Sequence, residues 1–560
     1  MIKEFLQPYL FNHERPILIV DDSSVYRSAA KGILQKLGFE ASNVHQAQNS
    51  REAKALCSEH NYAIIFYDYN LGAGLSGYGL MEELISEQYV ASDCTNIVVS
   101  AEGTVNVVRS FMELSPDGYL LKPISHDILK EKLPQLVTTK ATLSPALTAF
   151  DQGRYERVLT LTEEFIQEDE LTLIAAQSLR AKAQIQLNML HDARNTLVAL
   201  QQVTHQPVSY FMQFDIALKQ RQYKQAQFIL DHMPKNSVSI PLILDRQTTI
   251  QVMQSRLELA LISQKRSIKL SPMRLERYWR LALIEMSLCE FYDAQETLEY
   301  LANHCKLTRF DSIDTFNLGA QMLLDLCQFS QHEIKNREQS QLRFYVDSMK
   351  KRCRQSEYSI TESLLITRYQ LLSGQRNLFV SAFNSTQSKM KGTSLDALGL
   401  FNCIELLKIA ALTQNDRQVN RMQEQIRTLL KNYNPVEAKL IQAYLAQWRN
   451  KTQHSYTQAE SLSKDADTLL KAGKNERAIE LLLQSLDLNK VDTATPRLLL
   501  FALTKTMPPK MSRTDCISLV YRCIRRLNTT PYVQTAEFKS VCKQLEKNLL
   551  VPDFTRALSL

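Results

Sequence analysis

The stretch ILIVDDSS at residues 17–24 places four apolar residues directly before two adjacent aspartates and two serines. Consecutive apolar residues of this kind indicate a strand that is buried on both faces. Two ionised carboxylates about 4–6 Å apart repel each other by roughly 3–4 kcal/mol at an effective dielectric near 20. The end of this strand therefore indicates one of two situations: either solvent screens Asp21 and Asp22, or a cation binds them.

Short apolar segments alternate with helix-like segments from residue 16 to residue 135. This alternation predicts a parallel sheet with helices on both faces. The strand-like segments are 16–20, 43–47, 62–67, 96–100 and 118–122. Five βα units in about 120 residues predict an α/β fold of the flavodoxin-like, doubly wound type, in which ligands bind beyond the carboxyl ends of the strands.

Charged and polar side chains stand at four of these predicted strand ends, and the residues concerned are Asp21 with Asp22, Asp68, Ser100 and Lys122. Three carboxylates do not remain ionised together on one edge of a sheet without a cation. Mg²⁺ is the natural candidate because it prefers oxygen ligands. A lysine and a serine beside a metal-bound carboxylate would supply the counter-charge and the hydrogen-bond donor that a phosphoryl group needs.

Four segments, VDDSSVYR (20–27), FYDYN (66–70), VVSAEG (98–103) and DGYLLKP (117–123), occur in an order and spacing that resemble a known family. They resemble the receiver (CheY-like) domain of two-component response regulators, and the resemblance covers about residues 13–138. It implies a (βα)5 domain in which Asp68 is the phosphoacceptor and takes a phosphoryl group from a histidine kinase.

The resemblance also implies a Mg²⁺ site. Asp22 would coordinate the ion directly and Asp21 largely through water, beside the phosphoacceptor Asp68. Asn70 would contribute its backbone carbonyl.

The resemblance implies further roles at five positions. Ser100 and Lys122 would bind oxygens of the phosphoryl group, and Tyr119 would be the switch aromatic that moves inward together with Ser100. Asn70 and Glu102 match the positions associated in this family with fast loss of the phosphoryl group. The alternative for this last pair is that both are simply solvated loop residues.

The loop after the phosphoacceptor departs from the family pattern. In DYNLGAGLSGYG (68–79), Gly72 stands where a proline is usual, and Gly77 lies nine residues after Asp68 instead of eight. We expect a longer and more flexible loop, which changes the surface presented to a partner more than the chemistry. A degenerate receiver that no longer accepts phosphate is the alternative for the whole acidic cluster.

Beyond residue 145 the chain reads as a succession of helices with few glycines or prolines. Small residues recur at steps of 33–35 residues, at Val158, Ala193, Ala226, Ala260 and Ala294. This period resembles the 34-residue tetratricopeptide (TPR) repeat of two antiparallel helices. The segment AGKNERAIELLLQSLDLN (472–489) resembles a further single unit.

These patterns predict a receiver followed by an all-α, TPR-like helical solenoid. The predicted boundaries are an N-terminal extension (1–12), the receiver (13–138), a linker (139–147), TPR-like repeats (148–305), irregular helical repeats (306–455), and a C-terminal TPR-like unit with capping helices (456–560). Residues 1–140 carry a net charge of −5 and the remainder a net charge of +12. The opposite signs favour a salt-sensitive contact between the two parts.

Composition points to a cytoplasmic protein. The chain has 560 residues, of which 44% are hydrophobic and 22% charged, as in globular proteins. We expect no membrane span, because no apolar run approaches 18 residues, and no signal peptide at the N-terminus. The ten cysteines lack metal-site spacing and predict reduced, packed thiols.

The leading hypothesis is a response regulator whose output is protein–protein interaction through the helical part. The chain shows no motif of an enzyme, so we expect it to catalyse nothing beyond its own Mg²⁺-dependent phosphorylation and dephosphorylation. One alternative is an auxiliary phosphorelay modulator that binds, inhibits or drains a sensor kinase or partner regulator. The other is a nucleic-acid-binding regulator that uses the basic clusters at 264–280, 349–354 and 521–526, although acidic residues are interspersed there.

Overall fold

The computed structural model describes residues 15–554 except 73–74, 102–104, 164, 166–168, 205, 236–238, 331–333, 335, 510 and 552. Within these residues, the N-terminal part contains one sheet of five parallel strands. The strands are β1 (Ile17–Val20), β2 (Val44–Ala47), β3 (Ile64–Asp68), β4 (Thr95–Ser100) and β5 (Gly118–Leu121). Their spatial order is β2-β1-β3-β4-β5, which is the flavodoxin-like order predicted from the sequence.

Helices connect the strands and cover both faces of the sheet. They are α1 (Ser24–Lys36), α2 (Ser50–Glu59), α3 (Gly77–Ser86), α4 (Val105–Glu113) and α5 (His126–Asp151). Alternate residues of β1 face opposite sides, so that Ile17 and Ile19 pack with Leu34 of α1, and Leu18 packs with Phe111 of α4. The sheet is therefore the middle layer of three, as its uninterrupted apolar strands require.

Helix α5 is longer than the sequence pattern suggested. Its first half packs Leu129 and Leu133 into the core of the sheet domain, and its second half packs Ala146 and Ala149 against the next helices. Residues 139–147, predicted to be a linker, lie within this continuous helix, which corrects that prediction. Burial of one helix face in two successive cores outweighs the polar, proline-containing local sequence, because helix propensity is a weak determinant beside tertiary packing.

The following helices form successive pairs. They are α6 (Tyr155–Thr162), α7 (Glu170–Gln186), α8 (Leu190–Val203), α9 (Pro207–Lys219), α10 (Tyr223–His232), α11 (Ser239–Met253), α12 (Leu257–Leu270), α13 (Leu275–Ser287) and α14 (Phe291–His304). Every second helix begins two residues after a residue with positive φ, namely Gly153, Asn188, Arg221, Ser255 and Cys289. The small residues identified in the sequence are each the fourth residue of such a helix and are fully buried.

The chain divides into two compact units. The first consists of Met1–Tyr278 and Asn303–Asp311, and the second of Trp279–Ala302 and Ser312–Leu560. The sheet domain and the helices that follow it up to Tyr278 thus belong to one unit, and the division does not fall at the predicted boundary after residue 138 or after residue 305. Long-range packing decides this division, and the local repeat pattern carries no information about it.

The second unit is helical throughout its described residues. Beyond α14 it contains α15 (Ile313–Phe329), α16 (Asn336–Arg352), α17 (Gln355–Leu372), α18 (Arg376–Met390), α19 (Leu400–Leu412), α20 (Asp416–Leu430), α21 (Pro435–Lys471), α22 (Asn475–Leu488), α23 (Ala494–Lys505), α24 (Arg513–Leu527) and α25 (Ala536–Leu549). The predicted boundary between residues 455 and 456 falls inside the 37-residue helix α21. Because the buried residues of α21 continue from Tyr444 to Ala466, no domain border lies at that point.

A fully buried charge network lies in the core of the second unit. The Asp325 carboxylate pairs with Arg368 and with Lys408, at 3.0 Å from the Lys408 Nζ, and accepts hydrogen bonds from Tyr444 and Trp448. Burial lowers the pKa of Lys408 to about 8, against the opposing attraction of Asp325. Such a network requires every partner in place, so it stabilises one packing arrangement of the four helices that contribute to it.

Eight of the ten cysteines are buried, and Cys289 and Cys353 are half-buried. Among the described residues, no helix combines the length and the apolarity that crossing a membrane would require.

Candidate functional site

The candidate site lies at the carboxyl edge of the parallel sheet, and strand register brings its residues together. Val20 pairs with Tyr67 across β1 and β3, so Asp21 and Asp68 occupy the next position on adjacent strands. On the other side of β3, the backbone carbonyl of Ser100, the last residue of β4, accepts a hydrogen bond from the backbone N–H of Lys122 at 2.9 Å. Residues that lie up to 101 positions apart in the sequence therefore meet at one edge.

Three carboxylates converge at this edge. Ligand oxygens of Asp21, Asp22 and Asp68 lie within 4.8 Å of one another, with Asp21 and Asp68 buried and Asp22 exposed. Backbone groups hold Asp21 in place, since its Oδ1 accepts from the N–H of Ser23 at 2.8 Å. Carboxylate oxygens so arranged, with one side open to solvent, fit a hard divalent cation such as Mg²⁺.

Lys122 supplies the positive charge of the site. Its Nζ lies 2.6 Å from Asp21 Oδ2 and 3.0 Å from Asp68 Oδ2, and it stands 4.3 Å from the centre of the Tyr26 ring. The ammonium group thus bridges the two buried carboxylates, and it also packs over the Tyr26 ring. This placement offsets part of the repulsion between Asp21 and Asp68.

Burial raises the pKa of the Asp68 carboxyl above its ordinary value. Removal from water is the main cause, and the neighbouring Asp21 charge acts in the same direction. Two interactions oppose it: the Lys122 ammonium and the backbone N–H of Tyr69, which donates to Asp68 Oδ1 at 2.9 Å. Asp68 is therefore a carboxylate that is held rigidly by hydrogen bonds but poorly solvated, so an added cation would stabilise its ionised form.

The remaining predicted residues occupy different positions around the site. Ser100 is buried at the end of β4, and Tyr119 is half-buried on β5, with its ring 6.2 Å from that of Phe111. Asn70 is exposed, and its side-chain oxygen accepts from the N–H of Gly72 at 3.3 Å. Glu102 lies outside the described residues, so its predicted role stays a prediction.

The loop that begins at Asp68 is closed by a glycine. The N–H of Gly77 donates to the carbonyl oxygen of Tyr69 at 2.8 Å, so that the first residue of α3 lies on the backbone of β3. A β-carbon at residue 77 would overlap the carbonyl oxygen of Asp68. Residue 77 therefore has to be glycine, because any side chain would collide with the backbone at Asp68.

Sequence reasoning missed two residues that contact the site. The Tyr26 ring covers Lys122, and the Arg27 Nη1 donates to the backbone carbonyl of Asp21 at 2.6 Å. Both lie in the first turn of α1, directly after the paired aspartates. Their position in the sequence could have identified them as site residues, because in this fold a helix that follows a strand begins at the carboxyl edge of the sheet.

With this geometry in place, the class of the domain follows from comparison with known proteins. Residues 17–134 match the family model described as the response regulator receiver domain. The N-terminal part of the chain is therefore a receiver domain of the CheY-like kind, homologous to CheY-type response regulators.

Individual relatives are similar to about a fifth of the chain. Chemotaxis protein CheY-3 of Vibrio cholerae serotype O1 is 26% identical over 127 residues, which is 23% of this chain and 95% of that protein. Chemotaxis protein CheY of Pseudomonas aeruginosa is 28% identical over 120 residues, covering 21% of this chain and 94% of that protein. A solved CheY-like receiver domain from Methanospirillum hungatei is 23% identical, covers 22% of this chain and 95% of that structure, and has a TM-score of 0.21.

Proposed function

We propose that the chain is a two-component response regulator in which phosphorylation of Asp68 by a histidine kinase changes the protein interactions of the helical part. The observation that supports this most directly is the convergence of Asp21, Asp22 and Asp68 on one edge, with Lys122 bridging two of them. This edge brings together carboxylates that could hold a cation and a lysine that could pair with a phosphoryl oxygen.

The proposed chemistry is a transfer to the Asp68 carboxylate. One carboxylate oxygen of Asp68 forms a bond to the phosphorus atom as the bond between phosphorus and the donor group breaks, and the donor leaves with the electron pair. The Lys122 Nζ lies 3.0 Å from Asp68 Oδ2, which is close enough for it to pair with an oxygen of the transferred group. The Ser100 hydroxyl would donate a hydrogen bond to another oxygen of that group. Mg²⁺, which Asp21, Asp22, Asp68 and the Asn70 carbonyl would hold, supplies neutralising charge when bound.

The proposed output is binding, not catalysis. The paired helices with a recurring left-handed residue before each second helix support a TPR-like solenoid in residues 148–305. Surfaces of such arrays bind peptides and helices of partner proteins. In this scheme Ser100 and Tyr119 move when Asp68 is phosphorylated, and the helical part responds.

The basic clusters give less support to nucleic-acid binding than their sequence suggests. Lys350 pairs with Glu362 at 2.6 Å, Arg522 pairs with Asp487 at 2.8 Å, and the Arg526 Nη1 donates to the carbonyl of Leu486 at 2.9 Å. Arg526 is itself buried. Charges that are used within the protein are not available to neutralise phosphates, so we favour a protein partner.

The test is covalent labelling of the full chain by a small phosphodonor such as acetyl phosphate or phosphoramidate with Mg²⁺. We expect one phosphoryl group on the wild type, none on Asp68→Asn, and loss of labelling when the metal is chelated. Asp127→Asn is the matched control, because its side chain is 95% exposed on α5. A folded wild type that takes no label would refute the proposal.

A further inference from the structure

The first compact unit contains a second set of contacts between the receiver domain and the helical array. Helix α5 joins the receiver to the helical array, meaning the helices from α6 onwards in the first unit. The second half of α5 contacts the residues before β4, where Asp151 Oδ2 accepts from the N–H of Ser92 at 2.8 Å and Lys140 donates to the Ser92 carbonyl at 2.6 Å. The array meets the receiver again at α3 and α4, through residues 270–277 and through Arg309. One of the two contact regions thus involves the helix that follows Ser100.

A buried ion pair forms the centre of the second region. Arg277 Nη2 lies 2.7 Å from Glu113 Oε2, the last residue of α4, and 2.8 Å from Asp245 Oδ2 in α11. The side chains of Arg277 and Glu113 are 2% and 0% exposed. The Arg277 Nη1 donates to the carbonyl of Ser271 at 2.9 Å, so the guanidinium binds groups of the receiver and of the array at once.

Weaker contacts surround this pair. Arg274 lies 3.5 Å from Glu82 of α3, and the N–H of Arg309 donates to Glu83 Oε2 at 3.0 Å. The Met273 side chain packs against the aromatic cluster that holds Phe111 and Tyr119. The basic segment 264–280, identified in the sequence as a candidate surface for nucleic acid, therefore supplies arginines to the acidic receiver.

Contiguous contacts connect Asp68 to this ion pair. The N–H of Tyr69 donates to Asp68 Oδ1, and the Tyr69 ring lies 6.1 Å from that of Phe111 in α4. Phe111 also contacts the ring of Tyr119 and stands two residues before Glu113. A movement at Asp68, Ser100 or Tyr119 that displaces α4 would therefore act directly on the Glu113–Arg277 pair.

We propose that Glu113 and Arg277 form a latch that holds the helical array on the receiver while Asp68 is unphosphorylated, and that phosphorylation weakens it. The inference rests on the proposed phosphorylation of Asp68. The ion pair is present together with Lys122 bound to Asp68, which is the unphosphorylated arrangement. Buried charges tolerate little displacement, so the pair stabilises this arrangement over any other position of α4.

Reciprocal coupling gives the inference a measurable consequence. If phosphorylation weakens the latch, then breaking the latch must favour phosphorylation by the same factor, typically about 5–150-fold for coupled sites. We expect Glu113→Gln and Arg277→Lys, each in the full chain, to bind Mg²⁺–beryllofluoride, a mimic of the phosphoryl group, at least about fivefold more tightly than the wild type.

The matched control is Asp151→Asn, which removes a receiver–array contact that does not involve α4. It should leave beryllofluoride affinity unchanged. Hydrogen exchange on the wild type needs no variant: peptides covering 105–113 and 270–278 should exchange faster when Mg²⁺–beryllofluoride is bound.

The outcomes separate the two proposals. Suppose that the wild type binds beryllofluoride but Glu113→Gln and Arg277→Lys bind it equally or more weakly, or that exchange in both peptides stays unchanged. Either result would overturn the latch and leave the proposed function intact. No binding by wild type and variants alike would overturn the proposed function and the latch together.

Discussion

Lys122 and Asp68 form an ion pair with 3.0 Å between Nζ and Oδ2, at the ends of two strands that are not neighbours in the sheet. The same ammonium lies 2.6 Å from Asp21, so one cation serves two buried carboxylates. One lysine does not fully compensate these two carboxylates, and the pKa of Asp68 is raised, mainly because the carboxyl is buried. The site is therefore short of positive charge, and this property underlies its predicted response to metal and to mutation.

Replacing Lys122 by Met should slow labelling of Asp68 by phosphoramidate by about 100-fold, because the transferred group loses its nearby cation. The ammonium also lowers the pKa of Asp68, so its loss should shift the acidic limb of the pH–rate profile to higher pH. Initial rates measured between pH 5 and pH 9, roughly the range set by ordinary side-chain pKa values, would show both effects. Lys130→Met, at an exposed position of α5, should behave as the wild type. An unchanged profile for Lys122→Met would contradict the assignment.

Replacing Asp68 by Asn should raise the melting temperature in metal-free buffer at neutral pH. The pKa of Asp68 is higher in the folded protein than in the unfolded chain because the carboxyl is buried. Its ionised form therefore destabilises the fold above that pKa, and stability rises as the pH falls through it. The variant should accordingly lose this part of the pH dependence, which thermal unfolding at several pH values would measure. A lower melting temperature for the variant would mean that the Lys122 pair outweighs burial.

Replacing Gly77 by Ala should destabilise the receiver domain by more than about 2 kcal/mol, because the new β-carbon overlaps backbone that cannot move aside. Gly32→Ala is the matched control. Its β-carbon would meet no atom within 4 Å, and it lies inside α1, where alanine should stabilise the helix by roughly 0.5–1 kcal/mol. Urea unfolding of both variants should thus give changes of opposite sign. Equal changes would show that the turn at residue 77 relaxes.

Replacing Asp325 by Asn should reduce the free energy of unfolding of the second unit by about 3–5 kcal/mol, because Arg368 and Lys408 lose a buried counter-charge. Glu424→Gln removes a carboxylate whose side chain is 75% exposed, although it also pairs with an arginine. That control should change stability by less than about 1 kcal/mol. Denaturant unfolding followed through tryptophan fluorescence is suitable, because both tryptophans, Trp279 and Trp448, lie in the second unit. A small effect at Asp325 would mean that water replaces the carboxylate.

The receiver fold and the meeting of Asp21, Asp22, Asp68 and Lys122 at one edge could be predicted because their signals are local. Each buried strand is a short apolar run, and the carboxylates and the lysine lie at the ends of such runs: Asp21 follows β1, Asp68 is the last residue of β3, and Lys122 follows β5. In a parallel sheet the carboxyl ends of the strands lie at one edge, so chain position alone brings these side chains together. The 34-residue spacing of buried small residues indicated the paired helices by the same kind of local periodicity.

Sequence alone thus determined where the strands lie and which carboxylates cluster, and it indicated that the rest of the chain is helical. Only the tertiary structure decided that α5 continues through residues 139–147, that Tyr26 covers Lys122, and that Arg277 pairs with Glu113 of the receiver. Glu113 and Arg277 are 164 residues apart, and neither stands in a pattern that identifies the other. Local periodicity indicates each helix pair, but the position of each helix depends on how it packs on the one before it. Whether Arg277 meets Glu113 therefore depends on every helix interface between them in the first unit.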